Sequence, residues 1–182
     1  MMIHETLWRA AALAVGTLGF VVGNTYAEIK RRLNPESQPI SAYITGPYGI
    51  YESAGFLTLA VGFFCLSGPV WWTLLSIATG VALLFIVLTK WLMKYGLYSW
   101  LLCSDSSQVE TIHLVAAGVA FSLLVGIEAW ALWPSPLVAL PFAAPVSALI
   151  FTLFARSQTA IEEKVYTVLL LGGMIEMLIL WL

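Results

Sequence analysis

Six long apolar runs, parted by short segments rich in polar residues, glycine and proline, account for most of the chain. They cover Leu7 to Tyr26, Gly49 to Leu66, Val70 to Met93, Val109 to Leu132, Leu137 to Ala155 and Ile161 to Leu182. Each approaches or exceeds the roughly 20 residues that an α-helix needs to cross a bilayer. The breaks are chemically definite: Ser67-Gly68-Pro69 closes the second run and Trp133-Pro134-Ser135-Pro136 the fourth, and proline cannot continue a helix in its usual register. Inside the fifth run Pro141 and Pro145 predict a kink that frees backbone carbonyls. The expected fold is all-α, a six-helix transmembrane bundle forming one domain over residues 1–182. No tandem repeat is visible.

Composition sharpens this picture. Of 182 residues, 60% are hydrophobic and 10% charged, against about 25% charged in soluble domains. Too little polar surface remains to cover a water-soluble globule, so the lipid bilayer is the expected solvent. The net charge of -2 offers no basic face to nucleic acid. The first run lacks a strongly basic start and leads into Asn24-Thr25-Tyr26, so it does not read as a cleavable signal peptide.

Tryptophan and cation positions orient the bundle. With helix ends numbered alternately, Trp8, Trp71, Trp72, Trp130, Trp133 and Trp181 fall on one membrane face, and Trp91 and Trp100 near the other. Tryptophan favours the interface because an apolar ring carries one N–H that seeks water. Of eight cationic residues, Lys30, Arg31, Arg32, Lys90, Lys94, Arg156 and Lys164 lie at loops one, three and five, and Arg9 alone at the other face. The positive-inside rule then puts the odd loops in the cytoplasm and both termini outside. Lys90 and Lys94 also suit snorkelling from a helix end.

Small residues suggest close packing in the first helix, where Gly19 and Gly23 form a G-x-x-x-G above Ala10, Ala12, Ala14 and Gly16. They fit either packing within the chain or a docking face for another subunit.

Polar candidates gather at the odd-loop face. Loop one and the start of the second run bring Tyr43, Tyr48, Tyr51 and Glu52, loop three Asp105, Glu110 and His113, and loop five Glu162. Together they make a tyrosine-rimmed polar mouth, readable as a ligand-binding site or as an ordinary solvated edge. Loop one also holds Ile40, Tyr43, Ile44 and Tyr48, more apolar content than a solvated linker needs. It is expected to fold against Asp105 to His113.

Glu110-x-x-His113 sets two potential metal ligands on one helix face. A metal site needs three or four ligands, and Asp105, Glu52 or Glu162 would have to complete it; the alternative is a histidine hydrogen-bonded near a helix start. No metal or other cofactor is expected. Haem is excluded because His4 and His113 lie roughly 30 Å apart by the helix rise. Cys65 and Cys103 end on opposite faces, too far apart for a disulfide. Deep in the membrane, Glu128 and Glu176 each call for a partner or a proton, and Arg9 enters from the side where Glu128 lies.

The segment Pro39-Ile40-Ser41-Ala42-Tyr43-Ile44-Thr45-Gly46-Pro47-Tyr48, with Gly49, Gly55 and Gly62 after it, resembles the Ile-Ser-x-x-x-x-Gly segment of the bacterial and archaeal membrane proteins grouped as domain of unknown function 998. Cys103-Ser104-Asp105 before Thr111-Ile112-His113, and Glu162-Glu163-Lys164 opening the last run, fit that layout. Ala42-Tyr43-Ile44-Thr45 departs from the acidic or glycine-rich stretch usual there. The resemblance implies a polytopic protein of the bacterial or archaeal cytoplasmic membrane and carries over no catalytic residue.

Three functions are therefore expected in order. The first is a non-enzymatic membrane protein binding a hydrophobic or amphipathic small molecule, or a partner membrane subunit, at the polar mouth. The second is a vitamin-like small-molecule transport component, because six short-looped helices resemble the substrate-binding subunits of energy-coupling-factor transporters and Ala10 and Ala14 match their Ala-x-x-x-Ala docking motif. The third is a lipid-directed enzyme using Ser106 or Ser107 with His113, for which no ordering acid is evident.

Overall fold

The computed structural model describes residues 2–31, 44–45, 48–66, 68–132, 165 and 167–175. Among them the chain is all-helical. In order come α1 (Met2–Arg31), α2 (Gly49–Phe64), α3 (Val70–Tyr95), a 3-10 turn (Tyr98–Leu101) and α4 (Ser106–Ala131), then a helical stretch over 167–175. The fifth run and most of the sixth, with Tyr43, Glu162 and Glu176, lie outside the described residues.

Among the described residues three segments are long and apolar enough to cross a membrane: Leu7–Ala27 within α1, Val70–Tyr95 and Ser106–Ala131. The outward surfaces agree with that solvent. Val15 on α1, Leu74 on α3 and Leu114 on α4 are each at least 60% exposed, where a helix in water would present charge. The second run departs from expectation. Its helix closes after Phe64, at 16 residues, about 24 Å by the helix rise and short of a 30 Å hydrocarbon core.

Local chemistry sets the helix ends. Gly96 stops α3 in the left-handed region at φ 68°, while Leu97 N–H reaches back to Leu92 O at 2.9 Å, the Schellman pattern that glycine permits. At the start of α4 the Asp105 carboxylate accepts from Ser107 N–H and Gln108 N–H, and Gln108 Oε1 accepts from Ser104 N–H. This exchange begins α4 three residues before the apolar run. Donors, the Ser107 hydroxyl first, also hold the Asp105 carboxyl below its usual range.

α1 lies along α2 through glycine. Gly16 packs on the Thr58–Gly62 turn, Gly19 against Thr58, and Gly23 on Tyr51 and Gly55. The G-x-x-x-G of α1 thus serves packing within the chain. Ala10 is buried in the same molecule and Ala14 half-buried, leaving little of that pair for a docking partner. One apolar core joins the helices, from Leu13 and Phe20 through Phe63 and Ile86 to Leu124, Ile127, Leu170 and Met174. Ile44 of loop one also belongs to it, 1% exposed.

The tryptophans sort to the ends. Trp130 packs edge-on to Trp71 at 4.4 Å and lies 5.1 Å from Trp72. At the other end Lys30 sits over the Tyr26 ring and Lys94 over Tyr95.

Candidate functional site

Three consecutive residues of α3 tie the helices together near the odd-loop end. Helical geometry turns successive side chains by about 100°, so Thr89, Lys90 and Trp91 cannot share one partner. Trp91 Nε1–H reaches across to α2 and donates to Ser53 Oγ at 2.9 Å, and Ser53 donates on to Gly49 O at 2.8 Å. Thr89 and Lys90 turn to α4.

Lys90 Nζ donates to both carboxylate oxygens of Glu110, at 3.0 and 3.2 Å. The lysine side chain is 9% exposed and the glutamate 43%. An ammonium within a helix long and apolar enough to cross a membrane therefore faces a carboxylate that opens to the surroundings on its other side. Such intramembrane charges are costly and tend to mark function.

One turn further along α4, His113 is 1% exposed, with Nδ1 2.9 Å from Thr89 Oγ1. The threonine hydroxyl has one proton, and Phe85 O stands 2.8 Å away to accept it. Ile86 O lies 3.1 Å from the same hydroxyl, and the imidazole tautomer sets which of Thr89 Oγ1 and Nδ1 donates to the other. Thr89→Val should deprive the buried imidazole of its Thr89 partner and lower stability by about 1–3 kcal/mol, with Thr89→Ser retaining most of it. Equal melting temperatures for the two variants in detergent would show that this bond contributes nothing.

The expected residues divide accordingly. Glu110 and His113 do meet one another, with α3 supplying their partners. Glu52 is fully buried on α2 beside Ser53. Asp105 caps its own helix. Tyr51 does not turn toward His113: its ring packs on Tyr26 of α1 at 4.5 Å. Tyr48 is part-exposed at the start of α2, while Tyr43 and Glu162 lie outside the described residues. Among the described residues no three histidine, cysteine or acidic side chains gather at one point.

Sequence reasoning missed Thr89, Trp91 and Ser53, and read Lys90 as a topological cation. A signal was available. Folding α3 and α4 back to back about the Gly96–Asp105 connection sets residue 90 near residue 110 by simple counting. A lysine and a glutamate equidistant from one tight connection are candidates for pairing.

In the interior at the opposite end of α4, Glu128 is fully buried, and no hydrogen bond joins it to Arg9. No protein-family model matches the chain, nor does any curated protein or solved structure.

Proposed function

We propose that the chain is a six-span integral membrane protein, non-enzymatic in character, that binds an amphipathic small molecule where α3 and α4 carry Lys90, Glu110, His113 and Thr89. The observation that carries this reading is the unequal exposure of the ion pair, a buried Lys90 against a 43% exposed Glu110. An anionic head group can displace the glutamate from the ammonium while the apolar tail lies along the outer helix faces. Lys90 recognises charge, Glu110 closes the site when it is empty, and the Thr89–His113 bond holds the helices in register.

The catalytic alternative has less support. His113 bonds to Thr89, and Ser107 Oγ–H donates to Asp105 Oδ1 at 2.7 Å, so Ser107 is engaged with Asp105 and not with the imidazole. The six-span count, the cytoplasmic odd loops and the outer position of both termini follow from the breakers and the cation distribution. The Pro39–Tyr48 segment supports placement beside the domain-of-unknown-function 998 proteins.

Melting the purified protein in detergent against charged lipids and vitamins tests the site. An anionic amphiphile at a hundredfold excess over its Kd should raise the melting temperature by roughly 5–10 °C. Lys90→Met should abolish the shift. A panel that shifts neither protein, or shifts both equally, sinks the proposal.

A further inference from the structure

Glu128 stands apart from that site, eighteen residues along α4 from Glu110, roughly 27 Å by the helix rise. It is 0% exposed, and neither carboxylate oxygen has a hydrogen-bond partner among the described residues. Its neighbour on the 167–175 helix is Gly173, where an added Cβ would overlap Glu128 Oε2 and stand 2.8 Å from Cδ. A side chain of any size at 173 would thus claim the space that the carboxyl group fills. The next residue, Met174, is engaged by α1, its sulfur 3.7 Å from Thr17 Oγ1.

A second oxygen lies at similar depth. Counting equal numbers of residues from the Thr89–His113 contact, Ser76 on α3 stands level with Gly126, within a turn of Glu128. Ser76 is also fully buried, and its hydroxyl has no partner. The described cations are placed elsewhere: Lys90 holds Glu110, and Lys30 and Lys94 sit over tyrosines at the far end. No hydrogen bond joins Arg9 to Glu128.

A carboxylate without donor or counter-charge in such surroundings is strongly disfavoured. We propose that Glu128 is the binding group for a small monovalent cation, a proton or a bare sodium-sized ion, taken up between α4 and the 167–175 helix, with the buried Ser76 hydroxyl at similar depth on α3. The close approach of Gly173 favours a bare cation over an organic ammonium, for which a methyl-sized gap on that side is already lacking. The cation neutralises the carboxylate and lets the two helices close; its departure leaves an anion that has to move toward water. This site stands independently of the Lys90 reading.

Two measurements on the full chain in detergent decide it. Dicyclohexylcarbodiimide, which attacks a protonated carboxyl, should label Glu128, with the adduct located by peptide mass mapping. Labelling should fall several-fold as pH rises and, if sodium competes, on adding sodium chloride at fixed pH. A response to pH alone assigns the proton; protection by sodium but not by potassium assigns the metal ion. Independently, the wild-type melting temperature should shift with pH or sodium, and Glu128→Gln, which is neutral and nearly isosteric, should fold and lose most of that dependence. Identical pH and sodium responses in wild type and Glu128→Gln overturn the proposal. Should the variant fail to fold, a wild-type label indifferent to both, or absent from Glu128 until the protein is denatured, overturns it equally.

Discussion

Replacing Gly16 or Gly23 by leucine should abolish the folded, monodisperse protein in detergent, while alanine at Gly118 or Gly126 should leave it intact. The contrast comes from what a side chain would meet. A Cβ at Gly16 would stand 2.9 Å from Thr58 O, 3.2 Å from Leu59 Cα and 3.3 Å from Gly62 Cα. At Gly23 it would meet Tyr51 O and come within 3.1 Å of Gly55 Cα. These are backbone atoms, so relief requires moving α1 away from α2 along much of its length. Overpacking by one or two carbons costs about 1–3 kcal/mol in well-packed interiors, and a leucine driven into a rigid helix exceeds that. Gly118 and Gly126 have nothing within 4 Å of an added Cβ, and Gly→Ala there should gain up to about 1 kcal/mol of helix propensity. Gly19 is intermediate because it meets the Thr58 side chain, which can rotate. Size-exclusion profiles and melting curves across the set would refute the packing account if the Gly16 and Gly126 variants behaved alike.

The second large effect is an asymmetry across the Lys90–Glu110 pair. Removing Glu110 as Glu110→Ala strands an ammonium whose side chain is 9% exposed. That should cost about 1–3 kcal/mol, less than the 3–5 measured for fully buried pairs because water reaches the glutamate side. Lys90→Met leaves a carboxylate already 43% exposed and free to turn outward, so its cost should be well under half as large. The double variant Lys90→Met/Glu110→Leu should recover most of the loss, since two apolar side chains need no compensation in lipid. A double-mutant cycle of melting free energies reads this directly. Equal single losses that simply add would show that the two groups do not interact.

Sequence legibility varied with the physics that carried each feature. The apolar runs and their Gly-Pro stops foretold α2 and α3 closely at their starts, because hydropathy and proline act over short distances along the chain. The start of α4 was set instead by Asp105 and Gln108, polar side chains that exchange hydrogen bonds with the backbone and carry no hydropathy signal. α1 runs on to Arg31 for a comparable reason, with Lys30 resting on the Tyr26 ring. The G-x-x-x-G of α1 was visible, but its partner surface at Gly55, Thr58 and Gly62 depends on how two helices align across a long loop. Partnerships across α3 and α4 depend likewise on register. Glu110 and His113 stood out by type, whereas Thr89 and Ser53, small hydroxyl residues common in membrane helices, carried no distinguishing mark.

The brevity of α2 bears on the bilayer itself. A helix of 16 residues leaves about 6 Å of a typical hydrocarbon thickness uncovered. The turn that follows can sit below the head groups, because Thr73 Oγ1 both accepts from Gly68 N–H and donates to Gly68 O, at 3.1 and 3.2 Å. With both backbone groups of Gly68 satisfied internally, that residue presents no bare polar group to surrounding hydrocarbon. Beside α2, then, the leaflet on the side of that turn would be drawn inward, a local thinning that costs fractions of a kcal/mol for each ångström of mismatch. A protein shaped this way is least strained in a thin membrane or beside short-chain lipids, and acyl-chain length becomes a variable that tunes its stability without touching any residue.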